Sequence, residues 1–317
     1  MKVFITREIP DIAFQLLKKH KIPFEFYKND SPIPRKILLD KVKYCTALIS
    51  LLTEKIDAEL IDLMSRCKII ANVAVGYNNI DVKYAKKKNI IVTNTPDVLT
   101  ESAADLTIAL ALASARRLYE GESLVRANKF KGWKPKMLLG VELKNKIFGI
   151  LGAGRIGTAV AKRAHSFGTK IFYFDRSQHI KLEKKINAKK VSLRTLLTKS
   201  DFISIHLPLT KLTYHLFNEE KLKLLKTSAI LINTARGEII DETALIKILT
   251  ENRIRAAGLD VYEHEPEINP QFLKLKNVIL LPHIGSATEE ARNAMAELAA
   301  KNVINVLKGM RPLTPVF

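Results

Sequence analysis

Three segments carry side chains suited to acid–base and anion-binding work. His283 stands in Leu-Pro-His-Ile-Gly-Ser, Arg236 in Asn-Thr-Ala-Arg-Gly, and Glu265 in Asp-Val-Tyr-Glu-His-Glu-Pro. An imidazole exchanges protons near neutral pH, and a guanidinium grips a carboxylate through two parallel hydrogen bonds. Reducing the carbonyl of a small anionic acid needs a proton donor and an orienting cation of this kind, in addition to a source of hydride. Taken singly, each residue has a plainer explanation: a strand-end histidine can be a satisfied core group, an arginine a surface ion pair, a Glu-Pro a loop.

A source of hydride is signalled by residues 147–175. Ile147 to Leu151 is a short apolar run of the kind buried on both faces of a parallel sheet, and it leads into Gly152-Ala153-Gly154-Arg155-Ile156-Gly157. Gly152 allows the tight turn, Gly154 lets backbone amides approach a pyrophosphate, and Gly157 lets the next helix pack closely on its strand. That helix reads through Ala159, Val160, Ala164 and Phe167. Its unpaired N-terminal amides and dipole favour a phosphate. A second strand ends at Asp175, about twenty residues on, where a carboxylate accepts the ribose hydroxyls of NAD and repels a 2′-phosphate. The adjacent Arg176 tempers that repulsion, so the expected coenzyme is NAD, with NADP a weaker second choice.

The elements that must position these residues alternate strand and helix along the whole chain. Before the fingerprint, strands are expected at Val3–Thr6, Phe24–Tyr27, Ala47–Ser50, Ile69–Val73 and Ile90–Thr93, with helices such as Ile12–Lys18 and Ala58–Met64 between them. This is the pattern of a flavodoxin-like parallel sheet. Thr95-Pro96 breaks it, and an Ala- and Leu-rich helix is expected over Glu101–Arg117 with Thr100 as its cap. After Asp175, apolar runs recur at Asp201–Leu207, Ala229–Asn233, Ala256–Val261 and Val278–Leu281. His206 and Pro208, Thr234 and Arg236, Asp260, and His283 fall at or just beyond their ends, and carboxyl ends of strands line the ligand crevice of an open α/β sheet. A last helix, Ala287–Leu307, is expected to close the first domain. The fold class is therefore α/β, two doubly wound parallel-sheet domains. A Rossmann coenzyme domain (99–284) is inserted into a flavodoxin-like substrate domain (1–98 plus 285–317).

Length and composition agree with two domains, each able to bury a core: the chain has 317 residues. Its two cysteines, Cys45 and Cys67, lie in apolar surroundings, which reads as buried thiols in a reducing compartment and suggests no metal site. No segment reaches the ~20 apolar residues of a membrane helix, and a cytoplasmic protein is expected. The formal charge of +20 raises the question of nucleic acid. The lysines, however, are scattered along amphipathic faces (Lys83, Lys86 to Lys88; Lys181, Lys184, Lys185; Lys221, Lys223, Lys226) without interleaved aromatics, so no nucleic-acid partner is expected. The charge instead attracts small anions.

With these motifs in order, the chain resembles the D-isomer-specific 2-hydroxyacid dehydrogenases, and within them the glyoxylate/hydroxypyruvate reductases. The likeness runs through Leu51-Leu52-Thr53, Val75-Gly76-Tyr77, the glycine fingerprint, His206-Leu207-Pro208-Leu209-Thr210, Asn233-Thr234-Ala235-Arg236-Gly237 and the segments of Glu265 and His283. It implies NAD(H)-dependent reduction of a small 2-oxoacid. Arg236 would hold the substrate carboxylate and carbonyl, and His283 would exchange the proton. Glu265 would bind the other imidazole nitrogen, fixing the tautomer and favouring the charged ring. The substrate would also meet Leu52 and the backbone amides of Val75 and Gly76, with domain closure completing the site. The coenzyme set implied is Thr100, Gly152, Gly154, Arg155, Ile156, Gly157, Asp175, His206, Pro208, Thr234, Ala235, Asp260 and Gly285. The helix over Glu101–Arg117 is apolar on most of its circumference (Leu106, Ile108, Ala109, Leu110, Ala111, Leu112), so one domain alone is not expected to cover it, and the resemblance implies a homodimer built on this second domain. In related hydroxypyruvate reductases a tryptophan in the segment matching Trp133 reaches the partner's site. One departure is Asn78, where many relatives carry aspartate before Asn79-Ile80-Asp81. Relatives with other roles include 3-phosphoglycerate dehydrogenase, formate dehydrogenase (with glutamine at the position of Glu265) and NAD(H)-sensing corepressors; turnover of any 2-oxoacid separates the last from an enzyme.

Overall fold

The computed structural model describes residues 2–317. They form two compact units, one built from the described residues up to Leu99 together with Ala287–Phe317, the other from Thr100–Ser286. Both are doubly wound α/β sheets.

The first unit holds five parallel strands, β1 (Val3–Ile5), β2 (Phe24–Phe26), β3 (Ala47–Ser50), β4 (Ile69–Asn72) and β5 (Ile91–Thr93), in the order β2-β1-β3-β4-β5. This is the flavodoxin-like order. Every residue of β1, β3 and β4 is buried, as expected of strands covered on both faces, which is why they read as unbroken apolar runs. Helix Asp11–Lys19 turns Ala13, Phe14 and Leu17 inward, and Phe14 stacks on Phe24 and Phe26. The helix expected over Ala287–Leu307 starts at Glu289, because the Thr288 hydroxyl accepts the Ala291 amide and caps it there. It packs on helix Asp11–Lys19 and on β3 and β4. The tail then returns to the sheet edge, where the Val316 amide donates to the Val92 carbonyl, and Asn302 takes the amides of Leu313 and Thr314.

The second unit holds β6 (Ile147–Leu151), β7 (Lys170–Phe174), β8 (Lys189–Lys190), β9 (Phe202–Ile205), β10 (Ile230–Asn233), β11 (Ala256–Leu259) and β12 (Val278–Leu280). All are parallel, in the order β12-β11-β10-β9-β6-β7-β8. The order reverses between β6 and β9, and ligands bind outside the carboxyl ends at such a point. Helix Thr100–Ala115 begins at Thr100 itself, so Thr100 is its first residue and not its cap; it ends two residues before Arg117, whose backbone turns left-handed. That helix packs against helix Arg155–Ser166 and strands β10 and β11, burying Ala104, Ile108, Leu110 and Ala111 within its own unit. Apolar exposure lies instead in the segment after it, where Leu118, Tyr119, Val125, Phe130, Trp133 and Leu139 face outward.

Candidate active site

The glycine turn is shaped by three different constraints. Gly152 has φ +93°, and a Cβ there would meet the His206 carbonyl oxygen at 2.7 Å. At Gly157 a Cβ would sit 1.9 Å from the Gly152 carbonyl oxygen, so the helix can approach β6 only without one. Gly154 is different: nothing lies within 4 Å of the position its Cβ would take. The protein itself does not demand glycine there, and an open, Cβ-free approach to the N-terminus of helix Arg155–Ser166 is what a pyrophosphate requires. Arg155 and Ile156 open that helix. At the end of β7, Asp175 Oδ2 accepts the Ala153 amide at 2.8 Å and Oδ1 the Ser177 amide at 3.1 Å. Burial pushes this carboxyl upward, but the two amides and nearby His179 outweigh it and hold Asp175 below the usual carboxylate range. The residues present therefore fit a dinucleotide with free ribose hydroxyls.

Past the next strands the other polar groups gather. His206 follows β9; its Nε2 lies 2.8 Å from the Ser204 hydroxyl, and burial pushes its pKa down to about 3, so the ring is neutral. Pro208 follows two residues on, its carbonyl accepting the Thr213 hydroxyl. After β10, Asn233 shapes the turn by donating to the Arg236 carbonyl (2.8 Å) and accepting the Ala235 amide (3.0 Å), while Thr234 bonds Thr107 of the long helix at 2.9 Å. Burial lowers the Arg236 guanidinium from its ordinary value, against the pull of Glu238 and Glu265, yet a guanidinium keeps its charge in a protein.

His283 follows β12 with φ +55°, a left-handed backbone uncommon for a residue with a side chain. Asp260, just after β11, holds that bend: its two oxygens accept the Ile284 and Gly285 amides, each at 2.8 Å, and Ser102 bonds the Gly285 carbonyl. Burial raises Asp260, with the Ile284 amide and His283 opposing. His283 Nδ1 lies 2.7 Å from Glu265 Oε2, and Glu265 Oε1 accepts the Tyr262 amide at 3.0 Å. Burial would raise the Glu265 carboxyl, but His283 above all, then Tyr262 and Arg236, hold it below the usual range, so it is an anion at neutral pH. With Nδ1 committed to that anion, Nε2 is the ring atom left to exchange a proton.

Side chains that the sequence did not single out hold this arrangement. The buried Glu242 accepts the Glu263 amide at 2.7 Å, and His215 Nε2 lies 2.6 Å from the Glu263 carboxylate, so the segment bearing Glu265 is anchored from behind. Gly237 lies against the Tyr262 and Glu263 backbone closely enough that a Cβ would overlap it. In the first unit, Leu52 follows β3 and Val75 and Gly76 follow β4. Asn94 and Asn72 take the carbonyls of Val75 (2.8 Å) and Gly76 (2.9 Å), and Asn79 ties down the Leu51 and Glu54 carbonyls. Asn94 and Asn79 bond carbonyls 19 to 28 residues away, which no spacing announces. Among the described residues no cluster of His, Cys, Asp or Glu is gathered as a metal would require, and no helix is long and apolar enough to cross a membrane.

The second unit matches a family model described as the D-isomer specific 2-hydroxyacid dehydrogenase NAD binding domain over residues 108–285. The chain is 52% identical over 315 residues to a glyoxylate reductase of Thermococcus litoralis, covering 98% of this chain and 95% of that one. It superposes on a crystal structure of the TT0316 protein of Thermus thermophilus with a TM-score of 0.95 at 40% identity, each chain covered in full. A second solved structure is an NADPH-dependent glyoxylate/hydroxypyruvate reductase of Sinorhizobium meliloti in complex with NADP and malonate. It matches with a TM-score of 0.88 and 31% identity over 99% of this chain and 96% of that one. Motifs, sheet order and full-length identity converge: the chain belongs to the D-isomer specific 2-hydroxyacid dehydrogenases, nicotinamide-nucleotide oxidoreductases that reduce 2-oxoacids.

Proposed function

We propose that the enzyme reduces glyoxylate or hydroxypyruvate to the D-2-hydroxyacid with NADH, and that Arg236, Glu265 and His283 do the work around the carbonyl. The observation that carries the reading is the 2.7 Å bond between His283 Nδ1 and the Glu265 anion, within the field of Arg236, at the carboxyl edge of a dinucleotide-binding sheet. Bound NADH supplies the hydride. The guanidinium of Arg236 pairs with the substrate carboxylate and polarises the carbonyl oxygen. His283 delivers a proton from Nε2 to that oxygen as it gains charge, and in the reverse direction removes it. Glu265 keeps the imidazole in the productive tautomer and stabilises its charged form. Thr100, Gly152, Gly154, Arg155, Ile156, Gly157, Asp175, His206, Pro208, Thr234, Ala235, Asp260 and Gly285 are proposed as coenzyme contacts. Leu52, Val75 and Gly76 are proposed as substrate contacts, the carbonyls of Val75 and Gly76 being already taken up by asparagines. Glyoxylate and hydroxypyruvate are the expected best substrates because the activity of the Thermococcus relative and the apolar Leu52 both favour a short acid.

Initial rates with a panel of 2-oxoacids and both coenzymes test this. The short acids should lead, and NADH should exceed NADPH in kcat/KM by roughly ten- to a hundredfold, about 1–3 kcal/mol for an anion set against an unpaired 2′-phosphate. Asp175→Ser should gain NADPH activity. Equal or better use of NADPH by the unaltered enzyme sinks the assignment of Asp175.

A homodimer and a cytoplasmic location are part of the same proposal. Helix Leu118–Arg126 buries none of its residues, and Trp133 is 78% exposed, so this segment offers apolar side chains for a partner to cover. A second copy is the partner that covers it by two-fold symmetry. Light scattering should give the mass of two 35.7 kDa chains, and a stable, fully active monomer contradicts it. The buried, unpaired Cys45 and Cys67 suit a reducing compartment.

A further inference from the structure

The loop after β7 holds a titratable group with no part in the chemistry above. His179 Nε2 lies 3.3 Å from Asp175 Oδ2, and that nitrogen is buried without a hydrogen bond. The ring cannot easily turn away. The His179 amide donates to the Tyr173 hydroxyl at 2.9 Å, the ring meets the buried Tyr173 ring edge-on with centroids 5.7 Å apart, and the Tyr173 hydroxyl donates in turn to Glu183 at 2.5 Å. The carboxylate is equally fixed, by the Ala153 amide inside the glycine turn and by the Ser177 amide. Two groups that are 29% and 21% exposed are thus held face to face at the position where an adenosine ribose would arrive.

We propose that His179 is a specificity-determining residue, whose imidazole makes the choice between NADH and NADPH depend on pH. The inference rests on the reading that Asp175 meets the ribose. With a neutral ring, Asp175 presents its full negative charge and rejects a 2′-phosphate. With a charged ring the pair is neutral, the repulsion is cancelled, and the remaining local cations favour the phosphate. The imidazole lies 3.3 Å from the Asp175 carboxylate, so its charge is felt first there. The other charged and titratable groups around it are Tyr173 on β7, the exposed Arg176, Glu183 on helix Ile180–Ile186, and Lys190 on β8, whose Nζ donates to the Arg176 carbonyl at 3.1 Å. Glu183 is occupied by Tyr173 and Gln178, so it is Asp175 that a charged His179 neutralises. NADH, which carries no 2′-phosphate, still finds an acceptor in the same carboxylate at either pH.

The test is the ratio of kcat/KM for NADPH to that for NADH, followed from pH 8.5 to 6.0 in the wild type, His179→Gln and Asp175→Ser. The 2′-phosphate takes up a proton of its own near the acid end of this range, and that contribution is common to wild type and His179→Gln. The wild-type ratio should rise about fivefold more than that of His179→Gln, the size expected for neutralising one partly exposed charge. A purely structural role for His179 changes both coenzymes together and leaves the two profiles parallel. Parallel profiles with a raised NADPH ratio in Asp175→Ser overturn the role of His179 alone. An unchanged ratio in Asp175→Ser overturns the reading of Asp175 and this inference with it.

Discussion

His283→Ala should lower kcat by about 10²- to 10⁴-fold, the loss typical of a missing general acid, with little change in KM. Arg236→Ala should damage both constants, because the guanidinium grips the bound acid before reaction and the polarised carbonyl during it. The two differ because of where each sits. His283 reaches the reacting oxygen only through Nε2, its Nδ1 being spent on Glu265 at 2.7 Å, so its removal is felt when charge develops. Arg236 stands partly buried in the field of Glu238 and Glu265, and removing it takes away a cation that both carboxylates feel. Single-turnover rates beside steady-state constants separate the two patterns. Near-full carbonyl reduction by His283→Ala across neutral pH defeats the acid assignment, and an Arg236→Ala enzyme with unchanged KM defeats the carboxylate contact.

Gly237→Ala is expected to be as harmful, though Gly237 touches no substrate. An ideal Cβ there would lie 1.9 Å from the Tyr262 carbonyl carbon, 2.1 Å from its oxygen and 2.4 Å from the Glu263 nitrogen. These are backbone atoms, so no rotamer change relieves the overlap. Overpacking of a rigid site costs about 1–3 kcal/mol, and a backbone obstacle places this variant at the upper end. The only relief is to separate the turn that bears Arg236 from the segment that bears Glu265. Misplacement of such groups by about 1 Å costs about 10² in rate. Thermal unfolding should fall by several degrees, and kcat/KM by at least a hundredfold. Gly154→Ala supplies the contrast, since nothing lies within 4 Å of its Cβ and its unfolding temperature should stay put. A Gly237→Ala enzyme with wild-type stability and activity shows that the two loops are not mechanically joined.

The residues make legible whatever is encoded locally. The runs Ala47–Ser50 and Ile147–Leu151 are strands to the residue, because sheets covered on both faces admit only apolar, β-prone sequence. The gathering of polar residues beyond strand ends is legible from the recurrence of such residues after apolar runs, whereas the strand order itself comes only from the fold. Ends of helices are less legible: Thr100 looks like a cap and is a helical residue, while Thr288, the true cap of the last helix, does not stand out from its neighbours. The burial of helix Thr100–Ala115 is hidden for a related reason, as periodicity reports how apolar a helix is and not how many elements of its own unit surround it. Glu242, Asn72, Asn94 and His179 are invisible because each acts on a backbone group or carboxylate supplied by another element or a turn, and no spacing announces such a partner.

The route of the chain also sets a timetable for synthesis. Residues 100–286 contain every strand and helix of their unit, so that unit can complete its core while the ribosome is still adding the C-terminal helix and tail. The unit that holds the N-terminal strands cannot. Helix Glu289–Leu307 lies on its β3 and β4, and Val316 closes on Val92, so these strands must wait, half-covered, for residues made after the whole second unit. Translation therefore finishes the coenzyme-binding unit before the unit that encloses it in sequence, and β3 and β4 stay open to chaperones and proteases until that helix emerges.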